Sequence, residues 1–170
     1  MTLDQLNRLD DAAARAAIER CCGAGRWVDA VCVARPFADR EALFAASARA
    51  FGALERADWL EAFAHHPRIG DRDSLRAKYA STAAWAGEEQ RGAAAAAEST
   101  LAALTDGNRT YEERFGYIFI VCATGKSADE MLRLLHGRVA NPPERELRNA
   151  AEEQMKITKL RLEKLLEATG

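Results

Sequence analysis

FGYIFIVCATG, residues 115–125, is the most apolar stretch of the 170-residue chain, and its reading decides the fold class. By periodicity alone, 117–123 is either a strand or a buried helix. Its strongly apolar part, Phe115 to Thr124, is about half of the ~20 residues that a membrane-spanning helix needs. Everything around it reads as helix. With at most one strand-like segment, the expected fold is all-α, a single-domain bundle of about seven to nine helices with no significant sheet.

Working outward, Ser127 with Glu130 forms a capping box for MLRLLHGRV, because the two residues can satisfy each other's free N–H groups at a helix start. Asn141-Pro142-Pro143 then breaks the chain, and Glu144–Ala168 reads as one long amphipathic helix. Upstream, Thr110–Phe115 reads as a short helix. Asp106-Gly107-Asn108 closes a long Ala-rich one over Ala83–Thr105, whose run of alanines at 93–97 suits close packing against a neighbour. Pro67 stops an earlier helix carrying Trp59, Leu60 and Phe63, for which Asp58 is the expected N-cap; the residue before a proline is pushed off helical ψ. Another helix is expected over Asp39–Gly52, with Leu43, Phe44 and Phe51. The first is expected to run from the Thr2/Gln5 capping box through Leu3, Leu6, Leu9, Ala13, Ala16 and Ala17 until Gly23. No repeat or linker interrupts the pattern, so 1–170 is expected to be one domain.

The composition, 48% apolar and 29% charged, is ordinary for a cytosolic globule, and a net charge of −2 with pI near 6.0 argues against nucleic acid as partner. The opening MTLDQLNRLDD has no basic segment before an apolar one and EATG is no peroxisomal address, so no targeting signal and a cytoplasmic location are expected, with no membrane partner. The cysteines are Cys21, Cys22, Cys32 and Cys122; their spacing fits no zinc motif, and reduced, mostly buried thiols are expected.

Candidate chemistry begins at EAFAHHPRIGDRDSL, 61–75, which holds two of the three histidines. His65 and His66 are adjacent, so both can hardly ligate one ion, and there is no H-E-x-x-H pair. No metal site is expected. His136 near a helix C-terminus fits the helix dipole. ATGKS, 123–127, resembles the tail of a phosphate loop, but that pattern needs glycine where Ile120 stands, which excludes nucleotide binding. Glu88 and Glu89 suit a helix start as surface acids. Arg161 has Ile157 and Leu165 at i−4 and i+4, so it either snorkels along the core edge or aims into a pocket.

Taken together, His66-Pro67-Arg68-Ile69-Gly70, Glu89-Gln90, RFGYIFIVCATGKSADEML at 114–132 and Glu153…Lys156-Ile157…Arg161-Leu162 resemble the 2-oxo-4-hydroxy-4-carboxy-5-ureidoimidazoline (OHCU) decarboxylase family, over essentially the whole chain. The resemblance implies an all-helical, cofactor-free, commonly dimeric enzyme that decarboxylates a small ureido-imidazoline carboxylate to (S)-allantoin at the end of urate degradation. It assigns catalysis to His66, Glu89 and Arg161. Pro67, Gln90 and the backbone of Phe119, Ile120, Val121, Cys122 and Ala123 are expected to line the pocket. There is one departure: the family's usual serine is Ala86 here, which removes a hydroxyl that could bind substrate. The alternatives are a non-catalytic helical binding or scaffold protein of the same fold, or a decarboxylase or hydrolase of a related ureido-imidazoline compound.

Overall fold

The computed structural model of the chain describes residues 1–66 and 90–167, with the backbone alone for 90–97. Its described residues form eight helices and no strand: α1 Leu3–Arg8, α2 Asp11–Glu19, α3 Gly25–Val33, α4 Arg40–Gly52, α5 Arg56–Ala64, α6 Gln90–Phe115, α7 Ala128–Val139 and α8 Pro143–Glu167. They fall into two compact units, one of residues 1–66, 120–122 and 147–167, the other of residues 90–119 and 123–146.

In the first unit the Thr2/Gln5 capping box opens α1 as expected, but the helix ends at Arg8 and Leu9 is extended. Asp10 takes the N–H of Ala13 at 2.7 Å and starts α2, so the single helix expected as far as Gly23 is two. The break is tolerated because Arg35 Nη1 donates to the carbonyls of Leu6 and Leu9 at 3.1 and 3.0 Å, satisfying acceptors that a helix end leaves open. Helix α3 sets Trp27 in the core, fully buried, with its Nε1 donating to Ser47 O of α4 at 3.2 Å. Leu6, Ile18, Val31, Leu43, Phe63 and Leu162 complete that core; burying each such side chain contributes about 1.5–3 kcal/mol. Helix α5 is capped at Glu55. Asp58 sits inside the first turn and reaches back to the Glu55 N–H at 2.8 Å, correcting its expected N-cap position.

In the second unit α6 packs on α7, burying Leu101, Leu104, Tyr111, Met131 and Leu135. Helix α6 runs unbroken through Asp106-Gly107-Asn108 to Phe115, so the two helices expected there are one. A β-carbon on Gly107 would lie 2.6 Å from Leu135 Cδ2: the glycine is where the neighbouring helix comes closest, not where this one stops. Helix α6 ends instead at Gly116, whose φ of +79° suits glycine. Residues 117–123 are neither strand nor helix but irregular chain. Tyr117 and Phe119 are apolar for another reason: their rings pack edge-to-face with Tyr111, at centroid distances of 5.9 and 5.1 Å. Ser127 and Glu130 cap α7 as expected. Pro143 opens α8, where its missing N–H leaves no bond unmade.

Candidate active site

Helix α5 ends in the two histidines, and the fold separates them. His65 is the C-cap, in helical conformation, and its imidazole packs on Gly23, where a β-carbon would come within 2.2 Å of His65 Cγ. His66, its N–H held by Phe63 O at 3.1 Å, directs its ring to α8, where Nε2 stands 2.6 Å from Gln154 Oε1.

Gln154 is fully buried and Thr158, one turn on, is 1% exposed. Thr158 Oγ1 donates to the Gln154 main-chain carbonyl at 2.9 Å and therefore accepts from Gln154 Nε2 at 3.2 Å. That leaves the amide oxygen facing His66, so the imidazole proton belongs on Nε2 and the lone pair of the neutral ring on Nδ1. Burial holds the His66 pKa below its ordinary 6.5, with Arg161 and His65 adding to the effect and the Gln154 bond opposing it. His66 is thus neutral at pH 7 and able to accept a proton.

Arg161, half-buried on the same helix, places Nη1 3.4 Å from Cys21 O. No carboxylate pairs with it among the described residues. Cys21 and Cys22 are buried. Burial pushes Cys21 up to about 11 and raises Cys22, against the pull of Arg161, so neither supplies a thiolate near neutrality. The side chain of Thr158 also touches Cys22.

Ile120, Val121 and Cys122 belong to this unit. Ile120 is buried, and the Cys122 N–H donates to Glu153 Oε2 at 2.7 Å, whose other oxygen holds Lys156 Nζ at 2.5 Å. Phe119 and Ala123 belong to the other unit, where the Arg138 guanidinium lies 4.8 Å above the Phe119 ring. Pro67, Ala86 and Glu89 lie outside the described residues, as does the side chain of Gln90 at the start of α6. The structure therefore brings His66 and Arg161 together and leaves Glu89 undescribed. It also adds two residues the sequence reading did not pick out, Gln154 and Thr158, and gives Glu153, quoted only as part of the family pattern, a partner in the Cys122 N–H. The signal was available, since Gln154, Thr158 and Arg161 stand at i, i+4 and i+7, a polar stripe along one face of an amphipathic helix.

A neutral, half-buried imidazole just past the end of α5, beside an arginine of α8 with no carboxylate partner among the described residues, marks an all-α protein with a histidine–arginine site. The OHCU decarboxylase family profile matches residues 7–163, and the chain belongs to that family. It is 38% identical over 145 residues to the "uric acid degradation bifunctional protein TTL" of Arabidopsis thaliana, covering 85% of this chain but 45% of that protein, so it spans under half of that relative's length. To the 2-oxo-4-hydroxy-4-carboxy-5-ureidoimidazoline decarboxylase of Haloferax volcanii it is 31% identical over 163 residues, covering 95% of this chain and 94% of the relative. A crystal structure of an OHCU decarboxylase in the presence of (S)-allantoin is similar with a TM-score of 0.70 and 34% identity, over 94% of this chain and 99% of that one.

Proposed function

We propose that this protein decarboxylates 2-oxo-4-hydroxy-4-carboxy-5-ureidoimidazoline to (S)-allantoin without a cofactor, as a cytoplasmic carboxy-lyase and homodimer. The match to the family over 7–163 carries the reading and supports treating the chain as one domain.

The substrate supplies its own electron sink. Its carboxylate is on a ring carbon next to a C=N bond. When the bond to the carboxylate breaks, the electron pair passes toward that nitrogen and CO₂ leaves. Overall one proton is taken up: the ring nitrogen that receives the pair and the ureido-bearing carbon each gain a proton, and the neighbouring hydroxyl gives one up as the product carbonyl forms. His66 is the general acid–base group, suited by its neutral state at pH 7. Arg161 holds the anionic oxygens with its planar fork of donors, and Glu89 orients the imidazole and binds ureido N–H groups. Pro67, Gln90 and the 119–123 backbone line the pocket, within which protonation on one face sets the product's handedness. Ala86 lacks the hydroxyl of the family's usual serine; a missing hydrogen bond to a charged substrate costs roughly 1.5–3 kcal/mol of binding.

The test generates the substrate in situ from urate with a urate oxidase and a hydroxyisourate hydrolase. Decay of its ultraviolet absorbance and growth of allantoin circular dichroism are followed with and without the protein. Fast decay with a single-handed signal supports the reading. Decay at the spontaneous rate to racemic product rejects it in favour of a non-catalytic protein of this fold, or of an enzyme for a related compound.

A further inference from the structure

We propose that Gln154, clamped by Thr158, is a positioning residue that fixes His66 with its proton on Nε2, so that Nδ1 is the atom that exchanges the proton with substrate. The clamp stands on geometry; only the final clause rests on the decarboxylase reading.

Three observations carry it. The His66 Nε2 to Gln154 Oε1 distance is 2.6 Å. Gln154 is 0% exposed, so its amide has no water to turn to. Its other end is engaged by Thr158, whose own proton is spent on the Gln154 carbonyl. Flipping the amide would set its oxygen against the Thr158 hydroxyl and its NH₂ against the protonated Nε2 of His66. The hydroxyl proton would then have to leave the Gln154 carbonyl and the imidazole proton would have to move to Nδ1, and in a buried site breaking those bonds is disfavoured.

The choice of an amide follows from the surroundings. Among the described residues, the charged and titratable groups facing His66 are Arg161 on α8 and His65 on its own turn, while the Cys22 thiol, beside Thr158, faces Arg161 and Glu61. A carboxylate at 154 would raise the His66 pKa, pair with Arg161 and repel a carboxylate substrate. A neutral amide fixes the tautomer and leaves Arg161 available. Protonation at Nδ1 keeps the Nε2–H bond to Gln154 intact, so the ring can take up and return a proton without leaving its place.

The test uses the full chain labelled with ¹⁵N-histidine. Long-range ¹H–¹⁵N spectra in mildly alkaline buffer report which ring nitrogen of His66 carries the proton, and His66→Asn assigns the signal. The wild type is expected to show the Nε2–H form alone. Gln154→Leu, close in shape, should show a tautomer mixture and a lower His66 pKa. Gln154→Glu should keep the Nε2–H form and raise that pKa by about 1–3 units, moving the acid limb of kcat/KM upward by the same amount. In turnover, Gln154→Leu should lower kcat about tenfold or more, part of the about 10²–10⁴ that general acid–base catalysis contributes, with KM within about twofold. Thr158→Val, which leaves Gln154 in place but unclamped, should shift both readouts in the same direction and serves if Gln154→Leu does not fold. Nδ1–H in the wild type, or a tautomer unmoved by both Gln154→Leu and Thr158→Val, overturns the clamp whatever the chain catalyses. If His66→Asn is inactive while the folded Gln154 and Thr158 variants turn over like wild type, the decarboxylase stands and the positioning role falls. If the wild type does not decarboxylate, the spectra still decide the clamp and the assignment of Nδ1 falls with the reaction.

Discussion

Glu146 and Gln154 stand about two turns apart on α8, both fully buried, and each is the hub of a polar network of opposite character. Glu146 accepts from Tyr111 Oη at 2.5 Å, Arg138 Nε at 2.7 Å and Asn141 Nδ2 at 2.8 Å, and Arg138 Nη2 closes the ion pair at 2.6 Å. Burial, and then the carboxylate beside it, push the Tyr111 hydroxyl far above its ordinary range, so it stays a donor. This network is closed. The Gln154 network ends in a half-exposed imidazole whose Nδ1 has no partner among the described residues, next to an arginine engaged at 3.4 Å. The comparison teaches how to tell structural from functional burial of polar groups. A closed network spends its hydrogen-bonding capacity on the fold, and an open one holds capacity back for a ligand.

Substitutions at the two hubs can break that contrast. The largest effect expected is on turnover: His66→Asn should lower kcat by about 10²–10⁴ with little change in the urea midpoint, whereas His65→Ala should leave kcat near wild type. Equal losses would erase the distinction between the two histidines. Next, Glu146→Ala takes the carboxylate from the part-buried Arg138 and should lower unfolding free energy by about 3–5 kcal/mol in urea denaturation. If it instead leaves stability unchanged, the closed network is not structural. Tyr111→Phe removes one donor to that carboxylate and should cost about 1.5–3 kcal/mol by the same measurement. Gly23→Ala forces the His65 ring to shift and should cost about 1–3 kcal/mol, read as a lower melting temperature.

The smallest effect is a pH slope. The folded pKa of His66 lies below 6.5, so on acidification the unfolded chain takes up the proton first. The stability tied to this group is complete above 6.5, falls as pH drops from 6.5 to the lower folded value, and is level below that. Urea midpoints across this window should show the slope in wild type and lack it in His66→Asn. A slope of the opposite sign would mean that the folded site favours the imidazolium.

Local signals were legible where a residue answers its own neighbours. Thr2 with Gln5 and Ser127 with Glu130 are capping boxes in both sequence and structure, and Pro143 opens the last helix. They were misread where a distant partner decides. Leu3 to Ala17 keeps helical spacing, yet α1 stops at Arg8, a break tolerated because Arg35 satisfies the carbonyls of Leu6 and Leu9. Asp106-Gly107-Asn108 looks like a terminator, yet Gly107 is shaped by Leu135. In the site, the resemblance to the family pointed to His66 and Arg161, but Gln154 and Thr158 read as unremarked polar residues of a helix.

From sequence alone came the helical class, because caps, prolines and periodicity act within a turn of chain, while His66 as the proton-transfer candidate came from the resemblance to the family. Tertiary structure alone decided that 117–123 is neither strand nor helix, since its apolar residues answer Tyr111 and the core rather than a period of their own. It alone also gave His65 and His66 their different partners. One ring lies on Gly23, more than 40 residues earlier, and the other meets Gln154, 88 residues later, and a hydrogen bond over such a separation leaves no local pattern to read.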